Sequence, residues 1–99
     1  MNREIAESLK ETIGIEARAV AELLNIVDDS LVEVVIKLHQ LQGKIIITGI
    51  GKSAIIAQKI VATLNSTGSR SIFLHAADAI HGDLGIISAD DIVLCISKS

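Results

Sequence analysis

Ninety-nine residues carrying a net charge of −3 make one domain at most, and 49% hydrophobic content is ample for its core. The single aromatic residue, Phe73, leaves no stacking platform for bases, and the acidic balance argues against nucleic acid as a partner. The one cysteine, Cys95, excludes an internal disulfide and fits a reducing, cytoplasmic setting; no apolar run approaches the ~20 residues that cross a bilayer, so no membrane partner is expected.

In chain order, residues 3–27 read as a long helix. Ile5, Leu9, Ile13, Ala17, Val20, Leu24 and Val27 recur at spacings of three and four. Gly14 interrupts this stripe at a cost of about 1 kcal/mol relative to alanine, which makes it a candidate kink. Asp28-Asp29-Ser30 offers N-caps, and Ser30 with Glu33 has the spacing of a capping box. A second helix spans about 30–41, with Gly43 placed as its C-terminal cap. This helix pair is expected to cover a sheet or to mediate self-association.

Residues 43–99 read as parallel β/α structure. Ile45-Ile46-Ile47 is the signature of a strand buried on both faces, over about 44–49. A helix follows over about 52–67, with Ile56, Ile60 and Leu64 on one face and Ala57 and Val61 on its flank. The second strand is 71–74. A turn-rich segment, 75–85, follows, with one helical turn around 76–80. The third strand, 92–96, reads as buried, with Cys95 a small core side chain. Only Ser97-Lys98-Ser99 follow it, so the expectation is a piece of a longer protein, or a chain completed by a partner copy.

The densest chemistry lies in Gly49-Ile50-Gly51-Lys52-Ser53. A strand, a glycine turn and a helix start in that order place free N–H groups before an anion. Lys52 and Ser53 add a cation and a hydroxyl. A Walker A loop needs glycine five residues before Gly51, where Ile46 stands. Gly49-x-Gly51-x-x-Ala54 satisfies the relaxed dinucleotide pattern, but His75 occupies the place of the ribose-binding acid, which argues against NAD or FAD. A turn serving tight packing alone is the remaining alternative, and two polar groups aimed at the end of a parallel sheet argue against it.

His75, Asp78, His81 and Asp83 form a second cluster, within nine residues. Metal ligation by His81-x-Asp83, acid–base work by a histidine, and a purely structural turn capped by Asp83 are all compatible with this spacing. Ser97 and Ser99 form a third group, since hydroxyls just past a strand can hold phosphate oxygens; a frayed end is the alternative. His39 reads as an ordinary helix residue.

Gly49-Ile50-Gly51-Lys52-Ser53, Ser66-Thr67-Gly68, His81-Gly82-Asp83-Leu84-Gly85 and Ile96-Ser97-Lys98-Ser99 together resemble the sugar isomerase (SIS) domain, in its arabinose-5-phosphate isomerase branch. The resemblance implies an α/β fold with a three-layer, flavodoxin-like parallel sheet, truncated here after about three strands and preceded by the helix pair of residues 1–42. It implies an aldose–ketose isomerase of the Kdo pathway, acting on a phosphorylated sugar. Lys52 and His81 would be catalytic, and Gly51, Ser53, Ser97 and Ser99 would bind substrate and its phosphate. His75, Asp83 and Thr67 would lend support. No cofactor or metal is implied, and a homo-oligomer (dimer or tetramer) is. Two departures stand out: Lys98 replaces the asparagine usual between the two serines, and the branch's catalytic glutamates would lie past Ser99. A non-catalytic sugar-phosphate module of a regulator, or a half-domain serving only assembly, are the competing readings.

Overall fold

The structure, a computed structural model, describes residues 1–80 and 82–97, without the side chains of residues 80 and 83. It divides into two compact units, Met1–Ile36 and Lys37–Ser99.

In the first unit, α1 (Asn2–Glu22) passes through Gly14 unbroken and tightens into a 3₁₀ turn at Leu23–Ile26. None of its residues is buried, although the expected apolar stripe is present. Val27 then turns extended, and α2 (Asp29–His39) begins. The expected Ser30–Glu33 capping box does not form. Instead the Asp28 carboxylate accepts the Leu31 N–H at 3.0 Å and the Ser30 hydroxyl at 2.8 Å. Asp28 is the true cap because the helix starts one residue before Ser30, and its own hydroxyl bond occupies Ser30. These bonds, the Leu31 N–H first, hold the Asp28 carboxyl below its usual range.

The second unit is built on a three-stranded parallel sheet in the order β2-β1-β3, where β1 is Ile45–Gly49, β2 Ser71–His75 and β3 Ile92–Cys95. Ile47 pairs with Phe73 on one side and Leu94 on the other. β1 is central, and Ile46 and Ile47 are both 0% exposed, so this strand is covered on both faces as three isoleucines require. α3 (Lys52–Ser66) connects β1 to β2. Ile45, Ile47 and Ala57 form the heart of the core, joined by Leu38, Leu41, Val61, Leu64, Phe73 and Leu94.

Of the expected apolar face of α3, Ile60 and Leu64 pack on the core, as do Ala57 and Val61 from its flank. Ala54 and Ala57 are its buried residues, whereas Ile56 is exposed. The helix turns its small side chains inward because it approaches β1 closely: a Cβ on Gly49 would stand 3.0 Å from the Ser53 carbonyl. At the far end of α3, the Asn65 side chain pairs with both backbone groups of Ser71. Its Oδ1 accepts the Ser71 N–H at 2.8 Å and its Nδ2 donates to the Ser71 carbonyl at 3.0 Å.

Two further expectations are corrected. Gly43 does not cap α2. It passes against the Asp90–Asp91 turn, where its N–H donates to the Asp90 carbonyl at 3.0 Å and a Cβ would lie 2.5 Å from that same oxygen. Cys95 is exposed rather than a core side chain. Among the described residues β3 has one strand neighbour, and its Val93 and Cys95 face is open while Ile92 and Leu94 are half-buried.

Candidate functional site

The strand order decides where a ligand crevice opens. The first crossover leaves β1 toward β2; the second returns past β1 to β3. Right-handed crossovers place these two connections on opposite faces of the sheet. The carboxyl ends of β1 and β3 therefore flank a topological switch point, the place where open α/β sheets hold ligands.

The glycine turn and Ser97 meet at that point. β1 ends at Gly49, and Gly51 is the N-cap of α3 with φ 61° and ψ −132°. That backbone favours glycine, and a Cβ there would face open space. No side chain caps α3. Ala54 N–H bonds to the Gly51 carbonyl at 3.1 Å, while the N–H groups of Lys52 and Ser53 have no acceptor among the described residues. The start of a 15-residue helix thus presents free donors and the positive end of its dipole. Lys52 is exposed and Ser53 half-buried beside them. The ion pair found among the described residues joins Lys44 and Asp91 at the opposite end of the sheet, which leaves Lys52 without a carboxylate partner there. On the other side, Ile96 N–H donates to the Thr48 carbonyl at 2.9 Å, which brings Ser97 out beside the turn.

His75 ends β2 in register with Gly49, so it reaches the same end of the sheet. Its Nδ1 accepts the Ala77 N–H at 3.1 Å and so caps the short α4 (Ala76–Ile80). Its ring meets Phe73 edge-on, with centroids 6.2 Å apart. His75 thereby ties the start of α4 to the end of β2. Asp83 begins a 3₁₀ turn, Asp83–Ile86, behind Gly82, whose φ of 113° favours glycine. The expectations for His81 and Ser99 lie outside the described residues, as does that for the Asp83 side chain.

Thr67 is not brought to this site. It is the C-cap of α3, where its hydroxyl donates to the Thr63 and Leu64 carbonyls at 3.0 Å. A 15-residue helix separates it from Lys52, a rise of roughly 22 Å.

Two features escaped the sequence. The Thr48 hydroxyl, at the carboxyl end of β1, is buried without a partner among the described residues; a threonine ending an apolar strand was its sequence signal. The second is a clasp at the amino ends of β1 and β3. Asp91 accepts the Lys44 N–H, the Lys44 ammonium and the Ser88 N–H, each at 2.8 Å. Its side chain is 1% exposed, covered by its own hydrogen-bond partners. Those bonds, the Lys44 N–H first, hold its carboxyl far below the usual carboxylate range. The available signal was opposite charge on the residues that immediately precede two strands.

Among the described residues, no three His, Cys, Asp or Glu side chains gather as a metal site, and no helix is long and apolar enough to cross a membrane.

Residues 37–99 match the SIS domain family model. The chain is 43% identical over 98 residues to arabinose 5-phosphate isomerase KdsD of Pseudomonas aeruginosa, covering 99% of this chain and 30% of that protein. It is 37% identical over 99 residues to arabinose 5-phosphate isomerase GutQ of Escherichia coli K12, covering 31% of it. A solved structure from E. coli CFT073, in complex with arabinose 5-phosphate, superposes with a TM-score of 0.89 at 38% identity. It covers all of this chain and 53% of that one. The chain thus spans less than a third of these curated relatives and about half of the solved neighbour. A glycine turn and Ser97 at the switch point of a 2-1-3 parallel sheet, together with these likenesses, place the chain in the SIS domain family.

Proposed function

We propose that this chain supplies the amino-terminal part of a phosphosugar aldose–ketose isomerase domain, of the type that interconverts arabinose 5-phosphate and ribulose 5-phosphate for Kdo synthesis. The observation that carries this reading is the uncapped start of α3 beside Ser97, with Lys52 as a cation free of carboxylate partners among the described residues. The setting proposed is the cytoplasm, in a homo-oligomer, with a phosphorylated sugar as the partner.

Such a reaction shifts a proton between adjacent carbons through an enediolate. It needs a base, a proton carrier for the oxygens and a positive field for the developing charge. Ser97 and Ser99 would hold phosphate oxygens, and the N–H groups of Lys52 and Ser53 would receive negative charge. The Lys52 ammonium is the stabiliser of the enediolate or of the phosphate. His81 is the proton carrier in this scheme. The carbon base is assigned to none of these residues.

Calorimetric titration with arabinose 5-phosphate tests this reading, with arabinose as the control. Binding of the phosphorylated sugar alone is the expected result, and equal indifference to both would refute it. In a full-length protein carrying this segment, Lys52→Ala should lower turnover by roughly 100-fold, the range lost with one charge-stabilising donor. Its stability should change by no more than about 0.5 kcal/mol, as for other exposed positions. Unchanged turnover would remove Lys52 from the mechanism. Binding with no turnover in the full-length protein would favour the non-catalytic sugar-phosphate module.

A further inference from the structure

We propose that the Asp91 clasp sets the register between β1 and β3, and that Asp91 and Lys44 are thereby positioning residues for the phosphosugar site at the strands' far ends. The second half of this proposal rests on the phosphosugar reading above.

The hydrophobic pattern of these two strands cannot set their register. β1 opens with three isoleucines, and β3 runs Ile92-Val93-Leu94-Cys95 with Ile96 directly after it. Register is strongly specified where polar and apolar positions alternate, because a slip then exchanges core for solvent. Here a slip exchanges one apolar residue for another. β3 is four residues long and open on its Val93 and Cys95 face, so packing adds little discrimination.

The clasp discriminates where packing does not. Its geometry satisfies three donors with one carboxylate, two of them from Lys44 and one from Ser88. The Gly43 N–H to Asp90 carbonyl bond and the Ile92 N–H to Lys44 carbonyl bond, at 3.0 and 3.2 Å, flank it. In any slipped pairing Asp91 leaves Lys44, and a covered carboxylate loses two of its three donors, keeping only the local Ser88 N–H. A buried polar group fixing one arrangement among several apolar ones is a recognised use of such groups.

Register matters to the site because both halves of it hang from these strands. The Gly49–Ser53 turn follows β1, and Ser97 follows β3. A slip of two residues would keep every side chain on its face yet move Ser97 by roughly 6.6 Å along the sheet. Asp91 itself lies six residues before Ser97, roughly 20 Å in extended chain. It therefore acts on the site through the strand and not by touching the ligand.

Three variants of the full chain test this: Asp91→Ala, Asp91→Asn and Lys44→Met. Cross-strand proton contacts in NMR spectra, such as Ile47 to Leu94 and Ile47 to Phe73, report register. Titration with arabinose 5-phosphate reports the site. In Asp91→Ala the β1–β3 contacts should shift or vanish while β1–β2 contacts persist. Affinity should fall roughly 10-fold to 100-fold, equivalent to one lost charge-assisted phosphate bond. Lys44→Met, which keeps the two backbone bonds, should recover most of both. Asp91→Asn, which keeps an acceptor for the Lys44 N–H but cannot also accept from the Lys44 ammonium and the Ser88 N–H with its amide nitrogen, should fall between, and these two carry the same readouts if Asp91→Ala does not fold. Native β1–β3 contacts and unchanged affinity in the folded variants, with only a lower melting temperature, would overturn the proposal. If the unaltered chain ignores arabinose 5-phosphate, the phosphosugar reading fails, and the β1–β3 contacts alone decide the register role.

Discussion

Two charged side chains divide the work at the residue scale. Lys52 stands exposed at the start of α3, without a carboxylate partner among the described residues, whereas the Asp91 carboxylate is saturated with donors at the amino end of β3. Lys52 was legible because a glycine turn after an isoleucine run fixes its place locally. Asp91 was not, because its partner lies 47 residues away and only the pairing of β1 with β3 brings them together. The clasp makes Asp91 a stronger acid than a free aspartate. Its folded-state carboxyl ionises below the unfolded one, so the clasp contributes fully above the unfolded value of about 3.9 and weakens as pH falls below it. Lys44 is the charged group facing it, and Asp90 is the adjacent carboxylate in sequence. The melting temperature should therefore drop between about pH 4.5 and pH 2, and Asp91→Asn should flatten part of that limb. Identical pH profiles for the two proteins would mean that the clasp adds nothing to stability.

At the scale of elements, the strands and the later helices fell within a residue or two of their expected limits, whereas α1 ends at Glu22 and the rest of the expected first helix tightens into the 3₁₀ turn Leu23–Ile26. The expected helical turn at 76–80 appears as α4, Ala76–Ile80. Faces were harder to read. Ile56 shares an apolar face with Ile60 and Leu64 in the sequence, yet it is exposed, and close approach to β1 selects Ala54 and Ala57 for burial. Size complementarity between helix and sheet decides such a choice, and one helix's periodicity does not contain it. The same holds for Asn65, whose amide closes the gap between α3 and β2 as a backbone substitute. Its loss would leave the N–H and carbonyl of the buried Ser71 without these partners. Asn65→Ala should cost about 1–3 kcal/mol, the penalty for unmet buried backbone groups. Asn65→Asp should recover the bond from the Ser71 N–H only. Thermal denaturation of both variants measures this, and a melting temperature equal to that of the parent chain would show that water replaces the amide without loss.

At the scale of the second unit, the sheet has two ends with opposite character, and hollows exist at the one away from the switch point. One of about 410 Å³ is lined by His39, Gln42, Gly43, Ser69 and Arg70, and another of about 500 Å³ by Lys44, Arg70, Asp90 and Asp91. Neither includes Gly51, Lys52 or Ser97. Concavity alone would favour these hollows; electrostatics does not. The last carbonyls of α3 lie at that end, the negative pole of the helix dipole. Lys44 is neutralised by Asp91, and Asp90 adds further negative charge. Arg70 is the remaining cation there, and among the described residues no helix start faces it. The opposite end offers free N–H groups, the positive pole of α3 and Lys52. A phosphorylated sugar should therefore perturb the amide resonances of Gly49 to Ser53 and of Ser97 while leaving Gly43, Ser69 and Arg70 in place. Lys52→Ala should weaken binding roughly 10-fold, as expected for one charge-assisted contact. Arg70→Ala, which removes a cation of equal charge from the other end, should leave affinity unchanged. Perturbations centred on Ser69 and Arg70, with Lys52→Ala silent, would move the site to the amino ends of the strands and separate this chain's ligand from its switch point.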